Sequence, residues 1–137
     1  MIDQLTGSLN YHEQALDLRH ERQKVLSSNI ANADTPGYKA RDFDFASELE
    51  RATGQGSAGS GLALTRTAEG HIEGQAMASA PVDLGYRVPA QPSLDGNTVE
   101  MERERAAFAD NSVRYQAAVS MLNSRIQSLK SAMQPAR

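Results

Sequence analysis

Apolar residues in this chain recur at helical spacing at both ends and lose that rhythm in the middle. From the N-terminus, Leu5, Leu9, His12, Leu16, Arg19, Gln23, Leu26 and Ile30 follow alternating steps of four and three residues. The pattern predicts one long helix over residues 1 to about 33, with an apolar stripe interrupted by a polar centre. Tyr11, Ala15, Leu18 and Val25 widen that stripe on one side. The helix should stop near Asp34-Thr35-Pro36-Gly37. Pro36 disfavours helix at Thr35, and Gly37 accepts the positive φ of a type II turn.

A second long helix is expected from residue 98 to about 134. Its stripe runs through Met101, Arg105, Phe108, Ser112, Tyr115, Val119, Leu122, Ile126, Leu129 and Met133 on the same steps. Asp95, Asn97 and Thr98 offer N-cap oxygens, Glu100, Glu102 and Glu104 crowd the first turns, and Arg125 and Lys130 come late, as the helix dipole favours. A period nearer 3.5 than 3.6 predicts coiled-coil packing.

Residues 43–97 break both rhythms. Eight of the ten glycines of the chain fall here, and the Thr53–Gly61 run is too small and polar to pack. Leu62 to Thr67 and Tyr86-Arg87-Val88 read as short strands. The expected fold is therefore mainly α: long terminal helices packed as a coiled coil, with a small Gly-rich, irregular or β insert between them. The division is 1–42, 43–97 and 98–137, the first and last forming one inner assembly domain. A single helix pair is a thin core for 137 residues, which points to assembly with further copies or similar chains.

Composition narrows the chemistry. The net charge of −3 argues against nucleic-acid binding, and the absence of Cys removes disulfides, thiol catalysis and Cys-based zinc sites. No run is long and apolar enough to span a bilayer. Met1-Ile2-Asp3-Gln4 carries an acid where a secretory signal has a basic region, so no cleavable signal peptide is expected. Gly54-x-Gly56-x-x-Gly59 matches a dinucleotide-binding spacing but lacks the preceding apolar strand. Glu13, Asp17 and His20, with His12 beside them, sit at the spacing of an ordinary solvated helix face as much as of a metal site. His71 stands among small residues, and Ser27 and Ser28 have no evident base. Neither an enzyme, a cofactor nor a small-molecule substrate is indicated.

The most specific stretch is Ser28-Asn29-Ile30-Ala31-Asn32-Ala33-Asp34-Thr35-Pro36-Gly37-Tyr38-Lys39. Its Asn and Asp side chains suit the open backbone groups of a helix end, and its Ala residues allow close approach of another backbone. Taken by itself it reads equally well as an elaborate helix stop. The segment from Leu26 to Asp42 resembles the N-terminal motif of flagellar rod and hook proteins, the axial family, at Ser27 or Ser28, Asn29, Ala31, Asn32, Thr35, Pro36, Gly37 and Tyr38. Phe43-Asp44-Phe45, Tyr86-x-x-Pro89-x-Gln91-Pro92-Ser93, Asp95-Gly96-Asn97-Thr98-Val99 and Arg114 to Val119 are similar to its proximal rod members.

The resemblance implies a structural subunit of the proximal rod in the flagellar basal body, in the periplasmic space, passing torque from the membrane ring to the distal rod, hook and filament. It implies as partners other copies of the chain, the rod–ring junction protein FliE, the rod protein FlgC and further rod subunits. It also implies export through the flagellar type III apparatus, for which Phe45-x-x-x-Leu49 resembles an export element and equally well a local packing pair. In that picture Leu5, Leu9, Leu16, Leu26, Ile30, Phe108, Tyr115, Val119, Leu122, Ile126 and Leu129 form inter-subunit seams. The alternatives are another proximal rod protein and a non-flagellar coiled-coil scaffold.

Overall fold

The computed structural model describes residues 2–54 and 82–133, with side chains from residue 7. Helix α1 spans Ile2–Ala31, strand β1 Arg41–Asp42, helix α2 Phe45–Ala52, strand β2 Gly85–Tyr86 and helix α3 Met101–Met133. The two long helices run antiparallel. Asn29 on α1 meets Glu104 near the start of α3, and Gln23 meets Asn111 and Ser112 two turns on. The mainly α architecture with a small insert agrees with the sequence reading.

Helix α1 ends at Ala31, about two residues short of the expected end, and the chain turns at Thr35–Tyr38. Tyr38 N–H reaches back to the Thr35 carbonyl at 3.3 Å, and Gly37 has φ +73°, as a type II turn demands at its third position. Helix α3 begins at Met101, three residues later than its caps suggest. Thr98 Oγ1 is taken by Ala40 N–H at 2.8 Å, while Asn97 Oδ1 accepts from Val99 N–H two residues on at 2.8 Å and so closes a local turn ahead of the helix.

The insert is more ordered at its start than its composition suggests. Asp44 caps α2, its carboxylate accepting from Ala46 N–H and Ser47 N–H. Phe45 and Leu49 are thus one turn apart on a helix that sequence reading missed, and their four-residue spacing was its signal. The strand expected at Tyr86-Arg87-Val88 lies one residue earlier, pairing antiparallel as Arg41↔Tyr86 and Asp42↔Gly85. Arg87 N–H still bonds the opposite Ala40 carbonyl at 2.9 Å, but Ala40 N–H goes to Thr98 Oγ1 at 2.8 Å, so the reciprocal bond is missing and the pairing ends at Tyr86. The possible strand over Leu62–Thr67, His71 and all of the Gly-rich run beyond Gly54 lie outside the described residues.

Among the described residues the buried hydrophobic side chains are Leu18, Leu26, Ala40 and Phe43, and they are outnumbered by buried Asn29, Glu48, Asn97, Glu104 and Asn111. Of the seam positions, Leu26 is buried and Leu9, Leu16, Ile30, Phe108, Tyr115, Val119, Leu122 and Leu129 are half-buried. Ile126 is exposed. The side chain of Leu5 is outside the described residues. At the polar steps of the α3 stripe, Glu104 and Asn111 face α1, each one residue before the expected Arg105 and Ser112; Arg105 is exposed and Ser112 half-buried.

Candidate assembly joint

The end of α1 is held by polar groups, and Asn29 is their centre. Its Nδ2 donates to the Arg41 carbonyl at 2.7 Å and to Glu104 Oε2 at 3.1 Å. Its Oδ1 accepts from Arg41 N–H at 3.1 Å and from the Tyr38 hydroxyl at 3.3 Å. One fully buried amide thereby ties α1, the turn, β1 and α3 together with all of its hydrogen-bonding capacity in use.

Charge completes the arrangement. Arg22 forks onto Asp42, Nε to Oδ1 at 3.1 Å and one guanidinium nitrogen to Oδ2 at 2.9 Å. Arg87 bridges the two carboxylates, reaching Asp42 Oδ2 at 2.6 Å and Glu104 Oε1 at 3.1 Å. Burial alone would raise the pKa of Asp42, but the Arg22 fork, the Phe43 N–H and Arg87 outweigh it and hold the carboxyl below its ordinary 3.8. Two acids and two arginines thus pair within one cluster, which is how charges are tolerated away from water.

A second clasp lies beside the first. Asn97 Nδ2 donates to the carbonyls of Asn32, Ala33 and Thr35 at 3.1, 2.7 and 3.0 Å, covering open groups at the α1 C-terminus. Gly37 N–H bonds the Asp95 carbonyl at 2.9 Å, Thr98 N–H bonds the Tyr38 carbonyl at 3.0 Å, and Lys39 Nζ reaches the Gly96 carbonyl at 2.6 Å. Gly96 has φ +72°, and a Cβ there would lie 3.9 Å from the Gly37 Cα. Two of the segments quoted for the family resemblance, 26–42 and 95–99, are therefore docked on one another.

The remaining motif residues have smaller parts. Asn32 Nδ2 donates back to the Ser28 carbonyl at 2.8 Å, and Thr35 Oγ1 donates to Asn32 Oδ1 at 3.3 Å. The Ser28 hydroxyl lies 3.3 Å from that of Tyr38. Ala31 and Pro36 are exposed. Phe45 is half-buried with the Arg19 guanidinium 4.2 Å above its ring, and Leu49 is half-buried on the same helix. Glu13, Asp17 and His20 do not come together as a metal-ligating group of three, and no other such group occurs among the described residues.

Sequence reading did not single out Arg22, Asp42 or Arg87, and treated Glu104 only as a first-turn charge. Asn97 was seen as a cap and within the resemblance. None of these has a local signal, because each has a partner twenty or more residues away.

Comparison with known proteins agrees with this geometry. A family model described as "Flagella basal body rod protein" matches residues 9–39, which end inside the joint. FlgB of Salmonella typhimurium is 53% identical over 135 residues, covering 98% of this chain and 98% of that protein. The chain belongs to the FlgB family of flagellar basal body rod proteins. FlgB of Escherichia coli K12 is 52% identical with the same coverage, and that of Cereibacter sphaeroides 48% identical over 91% of this chain and 92% of its own. As a FlgB-family protein the chain is a structural component of the basal body and assembles with other parts of the rod. No helix among the described residues is long and apolar enough to cross a membrane.

Proposed function

We propose that this FlgB-family chain builds the proximal rod, in contact with further copies of itself, FliE and FlgC, and carries torque through packing and hydrogen bonds without catalysing a reaction. The carrying observation is the joint: Asn29 and Asn97 fasten the end of α1 to the start of α3, so a load on one helix passes to the other through a buried polar network. In this reading Ser28, Asn29, Ala31, Asn32, Thr35, Pro36, Gly37 and Tyr38 set the joint geometry. The apolar stripes of α1 and α3, from Leu5 to Ile30 and Phe108 to Leu129, are shared with neighbouring subunits. Residues 1–42 and 98–137 form the inner assembly unit and 43–97 its outward addition. A chain with few buried apolar groups also suits passage in unfolded form through the flagellar type III apparatus to the periplasmic space, with Phe45 and Leu49 as the export element.

Electron microscopy of basal bodies from a strain lacking the gene tests this reading. Rings without a rod are expected. Complete rods and filaments would exclude a role at the base of the rod.

A further inference from the structure

Where α1 meets α2 and α3, three arginines come close together and one of them has no carboxylate of its own. Arg22 forks onto Asp42, and Arg114 pairs with Asp110 at 2.8 Å. Arg19 stands half-buried beside both, its guanidinium 4.2 Å above the Phe45 ring. Among the described residues no oxygen accepts a hydrogen bond from it. Burial lowers its pKa, the charges of Arg114 and Arg22 lower it further, and Asp110 offsets them only in part. A guanidinium presents its donors in a planar fork that fits a carboxylate, and the ring holds this one in place with that fork unused. Partly withdrawn from water and crowded by like charge, Arg19 is half of an ion pair.

The opposite imbalance lies on another face of α1. Glu13 and Asp17 are exposed one turn apart, a spacing at which like charges repel. Among the described residues neither forms an ion pair; His20 makes none with them, and Lys24 is taken by Glu21 at 3.0 Å. Residues two apart on a helix do not face each other, so Asp17 points away from Arg19 of its own chain, and Glu13 lies more than a turn from it. The groups that act on Arg19 most strongly are instead Arg114, Arg22, Asp110 and Tyr11.

We infer that Glu13 and Asp17 of a second copy dock at this site, one carboxylate accepting from the Arg19 guanidinium and the other facing Arg114. Each group is repelled by its own neighbours in the single chain, and one contact relieves both, which favours a second copy over an unrelated acidic protein. The acids and Arg19 occupy different faces of α1, so the contact is heterologous and repeats from copy to copy. For that repetition it rests on the rod reading, to which it adds a polar contact beside the apolar seams.

Arg19→Met keeps an unbranched stem over Phe45 and removes the charge and the fork. The urea midpoint of the isolated chain should hold or rise, because repulsion from Arg114 and Arg22 is gone. The amount of chain in purified basal bodies should meanwhile fall at least about tenfold. A midpoint that falls together with incorporation assigns Arg19 to the fold and overturns the contact, as does incorporation at the wild-type level. Glu13→Gln with Asp17→Asn, at exposed positions, should reduce incorporation similarly with the midpoint unchanged, and undiminished incorporation overturns the contact again. Charge reversal identifies the partner. Arg19→Glu, and separately Glu13→Arg with Asp17→Arg, should block incorporation, and all three changes in one chain should restore it. A triple variant that keeps its helix content but stays out of basal bodies overturns the second-copy assignment. Absence of the unaltered chain from basal bodies removes the rod reading itself, whereas its presence together with every variant removes the contact alone.

Discussion

The four hydrogen bonds of Asn29 give a residue-scale measure of how much the joint depends on one amide. Truncating it strands Arg41 N–H, the Arg41 carbonyl and one Glu104 oxygen, and each buried orphan costs about 1–3 kcal/mol. Asn29→Ala should therefore destabilise the chain by about 3 kcal/mol or more in urea unfolding, far more than an exposed substitution such as Ala31→Ser. Asp42 adds a dependence on pH. Its folded pKa lies below the ordinary 3.8, so the unfolded chain binds the proton more readily. The stability it contributes is complete above the ordinary value and is lost as pH falls through the depressed folded value. Unfolding midpoints should accordingly drop as the medium is acidified below the ordinary carboxylate range, and Asp42→Asn should flatten that slope while lowering stability at neutral pH.

At the scale of elements, the helix pair contains a polar layer that apolar periodicity alone does not explain. Asn111 Nδ2 donates to the Arg19 carbonyl at 2.9 Å and to Gln23 Oε1 at 2.6 Å, and Gln23 Nε2 donates to Ser112 Oγ at 2.8 Å. Asn111 Oδ1 is buried without a protein partner. A layer with one unmet acceptor contributes little stability, yet it fits only one register of the two helices. Replacing it as Gln23→Leu, Asn111→Leu and Ser112→Ala should raise the melting temperature. Spin-label distances between α1 and α3 should then broaden, because a continuous apolar seam accepts more than one register. Sharp, unchanged distances would show that the joint alone fixes the alignment. Ahead of α3, the Thr98 hydroxyl serves Ala40 N–H, and Asn97 divides its amide, Nδ2 to the end of α1 and Oδ1 to Val99 N–H.

For the whole molecule, few apolar side chains are buried among the described residues, while Val113, Met121 and Ile126 stay exposed along α3. A chain of this kind gains stability from its neighbours, since binding partners stabilise the folded form by mass action. Leu122 is half-buried on the α3 stripe. Leu122→Asp should abolish incorporation into basal bodies, because an unpaired carboxylate would be buried in the assembled seam. Quantitative detection of the chain in purified basal bodies checks this, and incorporation at the wild-type level would remove Leu122 from the seam.

Local chemistry was sufficient for the two long helices, the turn at Pro36-Gly37 and the motif from Ser28 to Tyr38, because helical period, proline φ restriction and side-chain capping act within a few residues. It was also enough for the mainly α class and, through the motif, for the family. Tertiary structure alone decided which polar groups matter. Arg22, Asp42, Arg87 and Glu104 become one cluster only when α1, both strands and α3 meet. Asn97 becomes a clasp rather than a cap for the same reason. A hydrogen bond between residues 64 positions apart leaves no periodic trace in the chain, whereas a buried face repeats every turn.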